Sequence, residues 1–268
     1  MQIVLTIAGF DPSSGAGVTA DLMVFAAHGL FGVSCITGLT VQSTMGVRAT
    51  VPVSAMIVHD TLDCLQSDLP LAGIKIGMLA TAENVAMVAE FLEMMRGVGR
   101  RVPVVLDPVL RASSGRELLE ADGVAVMRRR LLPLVDWVTP NMGELGVLTG
   151  HEIGRREDLP DAARVLQAMG SELYVVVTGG ELATPDDLLL PIDGEIVCLT
   201  GEKIVSGSTH GTGCAFSSAL LSRVVLGDDA REAAARAKTY VSESIRTASP
   251  IGQGVGPVNH LWPLQDDW

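Results

Sequence analysis

Residues 73–110 read GIKIGMLATAENVAMVAEFLEMMRGVGRRVPVVLDPVL, and this stretch decides the fold. Residues 73–77 and 102–106 are short and mostly apolar with β-branched side chains, as strands buried on both faces of a parallel sheet are. Between them Val85, Val88, Ala89 and Leu92 recur at helical spacing, which predicts a helix over 82–96. Strand, helix, strand is the unit of a parallel sheet, because a parallel neighbour needs a long crossover. Pro108 then stops the second strand and leaves the Asp107 carboxylate at its rim.

The alternation continues outward in both directions. Strands are predicted at 3–8, 33–39, 137–139 and 173–178, the second extending to 41 just before Gln42. Helices are predicted at 18–28, 54–65, 122–132, 159–169, 213–226 and 229–248. Residues 188–191 and 195–199 flank Asp193-Gly194, a hairpin turn signature. The tail PIGQGVGPVNHLWPL (250–264) is too rich in glycine and proline for regular structure. With no repeat or linker, residues 1–268 read as one α/β domain: a mainly parallel sheet covered by helices on both faces. Ligands of such sheets sit beyond the carboxyl ends of the strands.

Of the 268 residues 48% are hydrophobic, enough for a sizeable core and against overall disorder. Nineteen basic against 31 acidic residues leave a charge of −12. Such a surface repels polyphosphate backbones and anionic membranes, though a small anion can still bind at a local site. Cys35, Cys64, Cys198 and Cys214 form no C-x-x-C pair, so neither a disulfide framework nor zinc is expected. No membrane span is expected, and the opening MQIVLTIAGFDPS reads as a first strand rather than an export signal. A soluble, cytoplasmic protein is the expectation.

The most informative motif is Ser208-Thr209-His210-Gly211-Thr212-Gly213-Cys214 before the apolar run AFSSALLSRVVL. Glycines 211 and 213 around Thr212 shape a turn whose amides, with the positive end of the following helix, converge on one point. An anion would be stabilised there; an ordinary glycine-rich helix start is the alternative. A thiol at a helix N-terminus has its thiolate favoured, so Cys214 is expected to have a lowered pKa and to serve as a base. As a lone cysteine it also suits a small buried side chain, the only reading of the other three. Gly15-Ala16-Gly17-Val18-Thr19-Ala20 matches G-x-G-x-x-A, but no acid lies between Asp21 and Asp60, which demotes a dinucleotide fold. A G-x-x-x-x-G-K-[ST] loop is absent. Asp107 and, after Pro140-Asn141, Glu144 are oxygen donors at strand ends that suit Mg²⁺ and its waters, each with a turn or cap role as the alternative. Gln42 can bond the edge of a heterocycle, or stand exposed in a turn.

The chain resembles the hydroxymethylpyrimidine/phosphomethylpyrimidine kinases of thiamin biosynthesis, in the ribokinase superfamily. The segments that carry the resemblance are TIAGFDPSSGAGVTADL, ITGLTVQST, IKIGMLAT, VVLDPVL with the following ASSG, VTPNMGEL, GSTHGTGCAFSSAL and GVGPVNH, in the family's order across nearly the whole chain. The resemblance implies a ribokinase-like three-layer sandwich and ATP-dependent phosphorylation of 4-amino-5-hydroxymethyl-2-methylpyrimidine, then of its monophosphate. It also implies roles. Gln42 would bond the pyrimidine, with Gly9, Asp21, Met78 and Val109 lining its pocket. Gly211, Thr212 and Gly213 would form the anion hole, with Cys214 the base. Asp107, Asn141 and Glu144 would face Mg²⁺ and the phosphates, the two acids toward the metal. Thr178 and Lys238 would lie near ATP.

The chain departs from the family at Thr178, where lysine is frequent, and at Phe10 and Ser14, where serine and glycine are common. A pyridoxal-type vitamin kinase and a non-catalytic pyrimidine-binding relative are the competing readings. Residues 111–116, RASSGR, are polar enough for a flap over the site. A homodimer is the assembly the resemblance raises, with the hairpin near 188–199 a candidate contributor.

Overall fold

The computed structural model describes residues 1–112, 115–180 and 184–267, the last three by backbone alone. The first half runs β1 (Ile3–Phe10), α1 (Gly17–Ala27), β2 (Phe31–Ser43), β3 (Gly46–Pro52), α2 (Ala55–Asp68), β4 (Leu71–Ile76), α3 (Ala82–Gly97) and β5 (Val104–Leu106). Next come α4 (Ala121–Val126), β6 (Trp137–Val138), α5 (Met142–Thr149), α6 (Leu159–Gln167), β7 (Tyr174–Val177), β8 (Asp187–Leu190) and β9 (Val197–Leu199). The chain ends with β10 (Ser208–His210), α7 (Thr212–Val225), α8 (Ala230–Arg246) and β11 (Gly256–Pro257).

Nine strands form one sheet in the order β3-β2-β1-β4-β5-β6-β7-β8-β9. From β2 to β7 all neighbours are parallel, while β3, β8 and β9 pair antiparallel at the two margins. Side chains alternate across the sheet. Leu5 and Ile7 of β1 join Val58, Val88, Leu148 and Leu166 of α2, α3, α5 and α6 in one core. Val4, the residue before Leu5, packs with Phe25, Leu220 and Ala237 of α1, α7 and α8 on the other face. The result is the expected three-layer α/β sandwich.

Four local expectations change. GVRATVP forms β3, an edge strand that its apolar–polar alternation signals. The helix expected over 122–132 is α only to Val126; Met127–Leu131 widens to a π turn and Leu132–Leu134 tightens to a 3₁₀ turn, where Pro133 has no N–H for the α ladder. Met142–Thr149 is an additional helix. The tail is not wholly irregular: β11 pairs with β10, and Trp262–Asp267 is a 3₁₀ helix.

From β1 the chain moves to β2 on one side, and later strands extend from β4 on the other. This switch of direction opens a crevice at the carboxyl ends of β1 and β4, the ordinary ligand position in an open α/β sheet.

Candidate active site

The anion turn is built by close approach of two glycines. Gly211 has φ +89°, and a Cβ there would stand 1.7 Å from the Gly15 carbonyl oxygen, so no side chain fits. The Gly211 carbonyl opens α7 by accepting from Ala215 N at 2.8 Å. No side chain caps this N-terminus, which leaves the first-turn amides of Thr212, Gly213 and Cys214 and the positive end of the dipole for a ligand. His260 braces the turn from behind, its Nε2 donating to Gly15 O at 2.9 Å.

Beneath the turn lies a buried ion pair that the sequence reading did not anticipate. Lys75 of β4 is completely buried, with Nζ 3.0 Å from both oxygens of Asp21 in α1. Asp21 also accepts from Thr6 Oγ1 at 2.6 Å and Ser218 Oγ at 2.8 Å. The resemblance put Asp21 in the lining of the pyrimidine pocket. Here it has no exposed surface, because four hydrogen bonds from three residues hold its carboxylate inward. A lysine inside the apolar run IKI was the available signal, since an unpaired ammonium is not tolerated there.

Cys214 corrects a second expectation. It keeps a partly open surface, yet burial of its sulfur pushes the thiol up to about 12. Lys75 and a hydrogen bond from Gly17 N–H pull the other way, but the Asp21 and Asp107 carboxylates add to the rise. Asp107 is also buried and sits above the usual carboxylate range, again through burial, with Lys75 opposing. Its Oδ2 accepts from Ser217 Oγ at 3.2 Å and stands 3.8 Å from where a Gly213 Cβ would be. Asp107 therefore lies against the anion turn.

Gln42, at the end of β2, reaches the same crevice. Its Nε2 is 3.0 Å from His210 Nε2 and 3.4 Å from Asp11 Oδ2. Gly9 gives room for Met78, whose Cε would be 2.9 Å from a Gly9 Cβ. Val109 is half-buried just beyond Asp107. Neither Asp11 nor His210 was singled out from sequence, though each lies inside a motif that was. Arg111 and Glu117 bridge to each other, and Ala112 N donates to Arg116 O at 2.8 Å, so the ends of the expected flap pair; Ser113 and Ser114 are outside the described residues.

The second half of the site lies at the ends of β6 and β7. Asn141 and Thr178 bridge there in parallel. Asn141 caps α5 by accepting from Glu144 N at 2.9 Å, while Glu144 Oε2 accepts from Asn141 N at 3.0 Å. This reciprocal box is a cap before it is anything else. Lys238 pairs with Asp187 at 2.9 Å, and Asp187 in turn accepts from Gly179 N at 2.8 Å. Lys203 Nζ donates to Gly180 O at 3.1 Å, so a cation stands beside the Thr178-Gly179-Gly180 turn. Among the described residues no three His, Cys, Asp or Glu side chains form a metal cluster. Two carboxylates suit a Mg²⁺ that arrives on phosphate oxygens and keeps its waters, rather than a resident ion.

A family model described as phosphomethylpyrimidine kinase matches residues 11–259. The chain belongs to this family of kinases. A hydroxymethylpyrimidine/phosphomethylpyrimidine kinase of Haemophilus influenzae is 38% identical over 261 residues, 96% of each chain. The thiamine biosynthesis bifunctional protein ThiED of Geobacter sulfurreducens is 42% identical over 264 residues, 98% of this chain and 53% of that one, so the kinase spans about half of it. Among solved structures, a pyridoxal kinase from Staphylococcus aureus in complex with ADP has TM-score 0.87 at 29% identity, covering 97% of this chain and 94% of that chain. A phosphomethylpyrimidine kinase from Clostridium difficile 630 has TM-score 0.80 at 31% identity, covering 91% and 100%.

Proposed function

We propose that this kinase transfers the γ-phosphoryl group of ATP to 4-amino-5-hydroxymethyl-2-methylpyrimidine, and then phosphorylates the monophosphate to the diphosphate, in thiamin biosynthesis. The observation that carries the reading is the uncapped first turn of α7, set by Gly211 against Gly15, with Gln42 facing the same crevice. The names of the curated relatives supply the substrate class.

Phosphoryl transfer passes through a loose transition state, so positioning and charge stabilisation dominate. The hydroxymethyl oxygen bonds Pγ as the bond from Pγ to the β-phosphate oxygen breaks, and ADP leaves. The amides of residues 211–214 meet charge on the transferring group. The hydroxyl proton passes to the Cys214 thiolate. Asn141, Thr178 and Lys238 would contact ATP; Lys238 arrives already paired with Asp187, which shifts the burden of phosphate charge toward the α7 amides. Asp107 and Glu144 would hold Mg²⁺ through its waters, and the ion, when bound, screens the phosphates.

Pyridoxal is the second reading, favoured by the likeness to pyridoxal kinases of known structure. A coupled ADP-release assay on the pyrimidine, its monophosphate and pyridoxal separates the two. Turnover of both pyrimidines above that of pyridoxal is the expected result, and turnover of pyridoxal alone overturns the assignment. Ligand binding without ADP release returns the non-catalytic relative. No described helix is long and apolar enough to cross a membrane. A homodimer rests on the family resemblance, and sedimentation velocity tests it; a cytoplasmic location rests on the sequence reading of the opening residues as a strand.

A further inference from the structure

Asp11 and His210 form a pair that the mechanism above does not use. They come together from positions 199 residues apart, with His210 Nε2 2.7 Å from Asp11 Oδ2 and both side chains largely buried. Asp11 collects donors on both oxygens. Ser13 N and Ser13 Oγ reach Oδ1 at 2.9 and 2.7 Å, and Ala16 N reaches Oδ2 at 3.0 Å. Burial raises its pKa, but the bonds from His210 and Ser13 outweigh that and hold the carboxyl below its ordinary value. Gly15 makes room for the imidazole, since a Cβ there would stand 2.1 Å from His210 Cδ2.

An ionised carboxylate only accepts. His210 Nε2 therefore carries its proton and gives it to Asp11, so this nitrogen cannot accept from Gln42. The Gln42 amide nitrogen, 3.4 Å from Asp11 Oδ2, has that carboxylate as its acceptor in this corner. Were the amide reversed, its oxygen would face the carboxylate. One amide N–H is thus committed and the carbonyl oxygen accepts from Thr40 Oγ1 at 3.2 Å, which leaves the second N–H and the oxygen's other lone pair for a ligand. A donor beside an acceptor matches a heterocycle edge with a ring nitrogen next to an amino group. A pyridine nitrogen flanked by methyl and C–H offers no donor to the amide oxygen.

We propose that the Asp11–His210 pair determines substrate specificity by fixing which way the Gln42 amide faces. The proposal rests on the aminopyrimidine reading above. Asp11 and His210 are positioning residues that act through Gln42.

The test is a double-mutant cycle of Asp11→Asn with Gln42→Ala, read as KM and kcat for the hydroxymethylpyrimidine and for ATP. Asp11→Asn is expected to raise the pyrimidine KM by roughly 10- to 100-fold, the scale of a hydrogen bond to a charged group, with ATP KM and kcat within about threefold. In the Gln42→Ala background it is expected to add nothing. An equal effect in that background, an equal rise in ATP KM, or no rise at all each overturns the proposal. Should Asp11→Asn not fold, His210→Gln, which retains an N–H for Asp11, is expected to keep the low pyrimidine KM that His210→Leu loses; equal KM values in those two variants overturn it as well. A wild-type protein that phosphorylates no aminopyrimidine defeats the functional reading, whereas normal turnover with an inert Asp11→Asn defeats this proposal alone.

Discussion

Ser14 holds φ +58°, a left-handed backbone that costs a side chain about 1–2 kcal/mol relative to glycine. Ser14→Gly relieves that strain but frees the unfolded chain, so a net gain of about 0.5 kcal/mol is expected in urea unfolding. The departure from the family's common glycine thus has a stability consequence that only the φ angle reveals. Cys214 gives the second prediction at this scale. With its thiol at about 12, the proton-accepting thiolate is a minority form at neutral pH and grows as pH rises. The value of kcat/KM should therefore climb with pH, with no plateau below about pH 10 on this ordinary general-base logic. Cys214→Ala should flatten that profile and lower turnover by roughly 10²–10⁴. A profile and rate unchanged by the substitution would remove the thiol from the mechanism. The identity of Cys214 was legible from its turn; its protonation state was not, because desolvation is a property of what packs around it.

At the scale of elements, the Asp21–Lys75 pair ties α1, β4 and α7 together beneath the anion turn. Asp21→Asn leaves a buried ammonium without its counter-ion and should cost about 3–5 kcal/mol in chemical denaturation. Adding Lys75→Met should recover much of that, since a neutral pair of similar size carries no desolvation penalty. Lys75 is held above its ordinary pKa by Asp21, against burial. Its stabilising contribution is therefore fully present below the unfolded lysine value of about 10.4 and is lost as pH rises beyond it toward the folded one. Melting measured up to pH 11 should fall more steeply in the wild type than in the double variant. At this scale the capping box was half legible. Asn141 and Glu144 stood out by their spacing, and both hold the start of α5, a role left open beside the metal one.

Across the whole molecule, the two ends of the chain meet at the site. His260 bonds Gly15 across 245 positions, β11 pairs with β10, and Val258 N donates to His210 O at 3.1 Å. Ending the chain at Ser249 should misplace the anion turn and lower turnover by about 10², the usual scale for an ångström of displacement. Retained turnover with normal KM values would show that the turn stands unaided. The sequence by itself determined the strand–helix order, the strand ends that carry Asp107, Asn141 and Thr178, and the turn at residues 211–214, because these follow from spacing within a few residues. Only tertiary structure decided that Asp21 faces Lys75 rather than the pocket, that Asp11 and His210 converge on Gln42, and that burial pushes the Cys214 thiol up. Each of those depends on groups brought together from distant positions and on the water their packing excludes, which no local pattern encodes.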